Sequence, residues 1–423
     1  MKILIHAINF WPELTGCGKY TGEMAQWLAD QGHEVSVVTA PPYYPEWRVA
    51  EGHAAYRYAR STMPSASGAQ VRILRCPLWV PAKVSGLSRL IHLMTFAASS
   101  LPALAAAMLR GADLVILVAP TAACAPAVLL LSRMLGVPSW IHVQDFEVDA
   151  AFELGVVSGS RMKRWALWLE GALLRRFSRA SSITPRMVER LMAKGVRPEQ
   201  ALLFPNWVDL DAVHPLSGEN AFRSEWGIKA DDIVLLYSGN MGEKQGLELL
   251  VDAAQALQGE SRFRFVLAGD GAARSRLEAQ AAGLSNILWL PLQPVDKLNL
   301  LLNAADIHLL PQRGDAADLV MPSKLTGMLA SGRAVLGTAK QGTQLGEVLA
   351  EVGARTEPGD LEEFVAQIRA LGNDASLRAH LGRRGRHFAQ ENMGKERIMA
   401  RFLAAAEALC GLSVTPTAAA PRV

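Results

Sequence analysis

Short apolar runs alternate with helical patterns along almost the whole of this 423-residue chain, and they do so in two successive blocks. In the first block the runs are KILIHAI, EVSVVTA, VRILRC, DLVILVA, SWIHVQ, SSIT and ALLFPN, with helical segments between most of them. One of those segments, YTGEMAQWLADQG, stops at Gly32, as a helix should. In the second block DIVLLYSG, FRFVLAG, NILWLP, DIHLLPQ and AVLGTA repeat the scheme. Strands that alternate with helices predict parallel sheets covered on both faces. The length exceeds what one ordinary core accommodates. The chain therefore reads as α/β, with two doubly wound Rossmann-like domains facing across a cleft. The break falls at PNWVDLDAVHPLSG, where proline, aspartate and glycine cluster and neither period survives. This sets an N-terminal domain at 1–207 and a C-terminal domain at 208–390. A helix over 391–411 is expected to return to the N-terminal domain, and the Pro/Ala/Thr-rich residues 412–423 are expected to be disordered.

The net charge is only +3, but it is uneven: 21 Lys and Arg face 14 Asp and Glu up to Pro205, and 22 face 26 after it. A modestly basic first half suits a phospholipid surface or a lipid phosphate, and equally an ordinary solvated surface. No nucleic-acid partner is expected. Cys17, Cys76, Cys124 and Cys410 lie far apart with no C-x-x-C pair, so neither a disulfide framework nor a zinc site follows and a reducing compartment is the default. The start, MKILIHAINFW, has no small-residue cleavage site after it and reads as a first strand. Two stretches free of formal charge, Arg89 to Arg110 and Asp113 to Arg133, are long enough to cross a bilayer. The first contains His92 and Pro102 and the second Pro120 and Pro126, and DLVILVA looks like a buried strand. Peripheral contact with a membrane is the expectation, rather than a span.

In open parallel sheets, ligands bind beyond the carboxyl ends of the strands. The first loop there is NFWPELTGCGKYTGEM, in which Gly16 and Gly18 admit close backbone approach and the helix starting near Lys19 offers amides to an anion. A nicotinamide site would want G-x-G-x-x-G and an acid ending the second strand; that strand ends in Thr39 and Ala40. In IHVQDFEVDAAFELG, the residues His142, Gln144, Asp145, Glu147 and Asp149 follow a strand. Asp145 is read either as a general acid or base or sugar-hydroxyl ligand, or as a helix cap. In YSGNMGEKQG, Gly239, Asn240 and Gly242 free the backbone and Lys244 adds a point charge, unless it is a surface lysine. LAGDGAARSRLE puts Gly269 and Gly271 after another strand, and MPSKLTG places Pro322, Ser323 and Lys324 at a helix start. Several such loops in register on one domain point to a nucleotide diphosphate.

These segments resemble retaining GT-B glycosyltransferases of the GT4 family. The resemblance covers nearly the whole chain and rests on PELTGCGKYTGEMAQWLADQGHEV, SSITPRMVERLMAKGV, LLFPNWVD, YSGNMGEKQGLELLVDAA, VLAGDGAARSRLE, LPLQPVDKLNLLLNAADIHLLP and ASGRAVLGT. Through GKYTGEMAQWLADQGHEVSVVTAPPYYPEW it is most similar to the colanic acid biosynthesis fucosyltransferase group. The resemblance implies a GDP-fucose donor and a lipid-linked saccharide acceptor at the cytoplasmic face of the bacterial inner membrane. It implies a cytoplasmic protein that touches that membrane peripherally. Many relatives carry Arg before Lys in the first phosphate loop; here the region reads Gly239-Asn240, and Lys244 is the matching lysine. The paired glutamates of the family fall at Leu319 and Gly327, which leaves the ribose without its usual carboxylate, Asp315 and Asp318 being alternatives. The usual His-Asp pair is Gln144-Asp145.

The catalytic set so implied is Gln144, Asp145, Lys244 and Lys324, with Gly16, Gly18, Lys19, Gly239, Asn240, Gly242, Gly269, Gly271, Pro322 and Ser323 binding substrate. The lysines and helix-terminal amides would stabilise the departing diphosphate, so neither a cofactor nor a divalent metal is expected. Two other readings stay open: a sugar-nucleotide epimerase on the same fold, and a non-catalytic nucleotide-sugar-binding subunit. The sequence sets no oligomeric state.

Overall fold

The computed structural model describes residues 1–14, 16–83, 85–146, 160–242, 245–314 and 321–412. The chain forms two compact units, one made of Met1–Pro205 with the chain from Met399 onward, the other of Asn206–Ile398.

The first unit is built on β1 (Lys2–Ala7), β2 (Glu34–Thr39), β3 (Ala59–Pro64), β4 (Gln70–Arg75), β5 (Leu114–Ala119), β6 (Ser139–Val143), β7 (Arg179–Ser182) and β8 (Ala201–Leu203). They form one sheet in the order β3-β4-β2-β1-β5-β6-β7-β8. Every pairing is parallel except β3 with β4. Its helices are α1 (Gly16–Asp30), α2 (Gly86–Leu109), α3 (Ala125–Leu135), α4 (Ser160–Leu174) and α5 (Pro185–Ala193). The central strand β5, LVILVA, is buried at every residue, which is why its sequence is a continuous apolar run rather than an alternation. Strand β3 was not expected. It is an edge strand of sequence ARSTMP, of which only Met63 is buried, so it carries no apolar run to betray it.

The second unit contains α6 (Ala221–Glu225), β9 (Ile233–Ser238), α7 (Glu248–Ala256), β10 (Phe263–Ala268), α8 (Arg274–Gln280), β11 (Ile287–Leu290), α9 (Leu298–Asn303) and β12 (Ile307–Leu310). It continues through α10 (Lys324–Ala330), β13 (Ala334–Thr338), α11 (Gln344–Val352), β14 (Ala354–Thr356), α12 (Leu361–Asn373) and α13 (Ala375–Asn392). Its sheet is parallel throughout, in the order β11-β10-β9-β12-β13-β14. The three-residue β14 was also unexpected, being too short to show a pattern.

The last helix, α14 (Lys395–Leu409), passes into the first unit at Met399. There the Phe402 ring stacks on Phe204 at 4.5 Å and 20° and lies 4.6 Å from the Trp140 ring. Trp140 in turn donates its indole N–H to Ser181 Oγ at 2.8 Å. All three rings are buried. Phe402→Ala should therefore cost about 3–5 kcal/mol, as large-to-small core changes do. Urea denaturation followed by tryptophan fluorescence will read this, and a loss under about 1 kcal/mol would mean the cluster does not anchor the helix.

Candidate functional site

In the second unit the chain steps from β9 outward to β10 and β11, then returns to β12 on the other side of β9. The loops after β9 and β12 therefore part at one point, the place where open parallel sheets take their ligands. Tyr237, next to last in β9, organises this point. Its buried hydroxyl donates to the Asn240 carbonyl at 2.6 Å and accepts from the Lys324 ammonium at 2.6 Å. The same ammonium lies 4.2 Å from the centre of the Tyr237 ring. Burial pushes the phenol's pKa up, so it stays protonated and can give one hydrogen bond while taking another. Burial pulls the Lys324 ammonium down to about 8. Among the described residues no carboxylate forms an ion pair with it, and the tyrosine is its hydrogen-bond partner.

Around this cation the glycines interlock. A Cβ on Gly239 would sit 3.5 Å from Lys324 Nζ. One on Gly269 would meet the Gly239 carbonyl at 1.9 Å, and one on Gly271 would meet Asn240 Oδ1 and the Met241 carbonyl at 2.6 Å. Both Gly269 and Gly271 also have φ near +150°, which only glycine adopts at ease. Backbone bonds from Gly239 N to the Ala268 carbonyl at 2.9 Å and from Met241 N to the Asp270 carbonyl at 2.7 Å close the two loops against each other. Gly239, Asn240, Gly269, Gly271 and Lys324 are thus brought together, with Gly242 just beyond and Pro322 and Ser323 leading into α10. Lys244 lies outside the described residues, as do Glu147, Asp149, Asp315, Asp318 and Leu319. Gly327 points toward α9, where a Cβ would be 3.2 Å from Leu302 Cδ1.

In the first unit the corresponding parting point lies between β1 and β5. Gly16, Gly18 and Lys19 form the first turn of α1 there. The space beside Gly18 is filled by the protein itself: a Cβ would meet Glu13 Oε2 at 2.5 Å. Glu13 is buried; Oε1 accepts from the Tyr43 and Tyr44 amides at 3.0 and 3.1 Å, and Oε2 from Asn9 Nδ2 at 3.0 Å. Burial raises its pKa against the pull of those donors and of Arg75. Lys19 pairs along the helix with Glu23 at 3.8 Å. Gln144 and Asp145 follow β6, Gln144 buried and Asp145 half-buried. Asp145 lines a cavity of about 30 Å³ with Phe146 and Glu170, room for a water but not a sugar. His142 is a core residue, bonded through Nδ1 to Ser181 Oγ at 3.0 Å and depressed to about 3 by burial, so it is neutral at physiological pH. Among the described residues no three His, Cys, Asp or Glu side chains gather as a metal site.

Two family profiles match: the glycosyl transferase 4-like domain over residues 15–207 and the glycosyl transferases group 1 domain over residues 232–374. The putative colanic acid biosynthesis glycosyl transferase WcaI of Escherichia coli K12 is 41% identical over 413 residues, 95% of this chain and 99% of that one. The chain belongs to the GT4 family of glycosyltransferases. As a GT4 glycosyltransferase it has the GT-B fold. It is similar to sucrose-phosphate synthase from Thermosynechococcus elongatus, with a TM-score of 0.74 at 17% identity over 97% of this chain and 100% of that one. It is likewise similar to HepE of Anabaena solved with UDP and glucose, with a TM-score of 0.68 at 15% identity over 96% and 99% of the two chains.

Sequence reasoning missed Tyr237 and Glu13. The signal for Tyr237 was available, since a hydroxyl ending a buried strand needs polar partners. The folded-state pKa of Lys324 lies below its unfolded value of 10.5. Its buried charge thus costs stability fully below pH 8, and the cost fades as pH rises toward 10.5. Raising the pH from 7 to 9.5 should then stabilise the ligand-free enzyme by about 2 kcal/mol relative to the Lys324→Met variant. Parallel urea titrations at the two pH values test this; an identical pH response in both proteins would mean that the ammonium is not desolvated.

Proposed function

We propose that this glycosyltransferase moves fucose from GDP-fucose to a lipid-linked saccharide during the synthesis of a colanic-acid-like exopolysaccharide, with retention of configuration, at the cytoplasmic face of the inner membrane. The observation that carries the reading is the buried Lys324 ammonium, bonded to a neutral phenol beside Gly239 at the parting point of the second sheet. A cation so placed gains from an anion far more than a solvated one does. The diphosphate of a sugar nucleotide is the anion that glycosyl transfer brings. As the bond from the anomeric carbon to the diphosphate breaks, negative charge grows on the leaving oxygen. Lys324 and Lys244 stabilise it there. This is the charge neutralisation that a divalent ion supplies in other enzymes. The first unit takes the acceptor, with Gly16, Gly18 and Lys19 in the first turn of α1 and Gln144 and Asp145 following β6, and Asp145 orients or deprotonates the acceptor hydroxyl.

The pathway rests on the likeness to the Escherichia coli protein, and the fucose and the guanine base rest on the resemblance of the GKYTGEMAQWLADQGHEV segment to the colanic acid fucosyltransferase group. Since HepE was solved with UDP, the base is the first thing to measure. GDP at about 100 times its Kd should stabilise the protein by about 2.7 kcal/mol and raise its melting temperature, with UDP and ADP giving less. Lys324→Ala should abolish the shift and lower turnover of GDP-fucose at least about 100-fold. A shift with UDP alone would replace the donor assignment. No shift with any of the three would remove the nucleotide site altogether.

A further inference from the structure

Helix α2 is 24 residues long, about 36 Å at 1.5 Å per residue, and unlike an ordinary surface helix it is apolar on its solvent face as well as on its buried one. The stripe that meets the core includes polar groups: His92 Nδ1 faces the Trp79 carbonyl at 2.7 Å, and Ser100 Oγ faces His6 Nε2 at 3.0 Å. The stripe that meets solvent is apolar from end to end. Leu87, Leu90, Ile91, Met94 and Leu101 lie along it, between 44% and 69% exposed. The same trait recurs on its neighbours. Leu130 and Met134 project from α3, at 61% and 72% exposure, and Trp165 and Trp168 from α4, at 62% and 63%. The connections β4 to β5, β5 to β6 and β6 to β7 all step the same way across the sheet. Right-handed crossovers therefore lay α2, α3 and α4 on one face of it, with α2 packed beside α3. Three neighbouring helices thus turn large apolar side chains outward on a single layer, far more than the scattered exposure of an ordinary surface.

We infer that this three-helix face is a docking surface for an anionic lipid bilayer. Charge complementarity selects the occupant. Lys83, Arg110, Arg133, Lys163 and Arg164 are exposed on or beside these helices. Among their described residues the one acid, Glu170, is buried and ion-paired with Lys194. A border of cations suits anionic headgroups, whereas a second copy of the chain would oppose it with the same cations. The tryptophans belong at the headgroup level, where an apolar ring with one N–H donor is best placed. Because the inner stripe of α2 is bonded into the core, the helix lies in the plane of the interface and does not cross it. The inference deepens the proposed use of a lipid-linked acceptor, since it brings the first unit to the surface where such an acceptor resides.

The test is sedimentation of the full chain with vesicles, in the absence of nucleotide and acceptor. Vesicles of phosphatidylcholine with one-third phosphatidylglycerol should bind the protein at least about tenfold more tightly than phosphatidylcholine alone, and added salt should weaken that binding. Leu90→Glu with Met94→Glu should reduce binding at least about tenfold while leaving the melting temperature and GDP affinity unchanged. Trp165→Ser with Trp168→Ser, which touches a different helix, should do the same and abolish the blue shift of tryptophan emission on vesicle addition. Absence of binding to either vesicle, or binding by both variants equal to that of the parent, overturns the proposal. So does a dimer in light scattering that Leu90→Glu with Met94→Glu splits while no vesicle is bound. Vesicle binding by a protein inert toward GDP-fucose would support this surface and sink the donor assignment instead.

Discussion

The Lys324 ammonium donates to the Tyr237 hydroxyl, and that hydroxyl donates onward to the Asn240 carbonyl. Through these two bonds the start of α10, the end of β9 and the glycine turn after it are held as one piece. The relay requires a phenol that keeps its proton, and burial ensures that it does. The ammonium receives a ring face and one oxygen in exchange for its hydration shell, which is less than a charge gives up on leaving water. An enclosed cation under-compensated in this way is the feature on which the proposed diphosphate site rests. The glycines at 269 and 271 let the two loops close on each other, and the glycine at 239 lets the backbone lie against Lys324.

The first unit shows what the same architecture does when the anion is built in. Its glycine turn also follows the strand at the parting point of the sheet, yet the place beside Gly18 is taken by the Glu13 carboxylate, anchored by two backbone amides and an asparagine. Arg75 completes the loop by donating to the Ala40 and Trp11 carbonyls at 3.0 and 2.6 Å. Here the charge is internal and the loop is rigidified by it. In the second unit, Lys324 has no such internal carboxylate among the described residues. One fold thus uses the end of a parallel sheet as a structural clasp in one half and as a candidate binding point in the other.

Much of this was legible in the sequence because buried parallel strands leave a strong trace: β5 and β9 are apolar at nearly every position. The edge strand β3 left none, since an exposed strand needs no apolar residues. The glycine loops could be read one by one, but their interlocking could not. Gly269 and Gly239 approach each other only because β9 and β10 pair in the register that sets Ser238 beside Ala268. For the same reason the partnership of Tyr237 and Lys324, 87 residues apart, is a product of the sheet rather than of any local pattern. His142 misled for the opposite reason: it stood beside Gln144 and Asp145 in the sequence, but every residue of β6 is buried, and the imidazole was drawn into the core.

The aromatic stack of Phe402 on Phe204 and Trp140 makes the first unit discontinuous in sequence. A fragment cut after Pro205 would lack the helix that covers those rings and would carry two large aromatic side chains into water. Such a fragment would be prone to aggregate, while the second unit is contiguous from Asn206 to Ile398. Synthesis on the ribosome meets the same asymmetry. The first sheet emerges early but must wait for the final helix before its surface is closed, so the half of the enzyme that is made first is the half that is finished last.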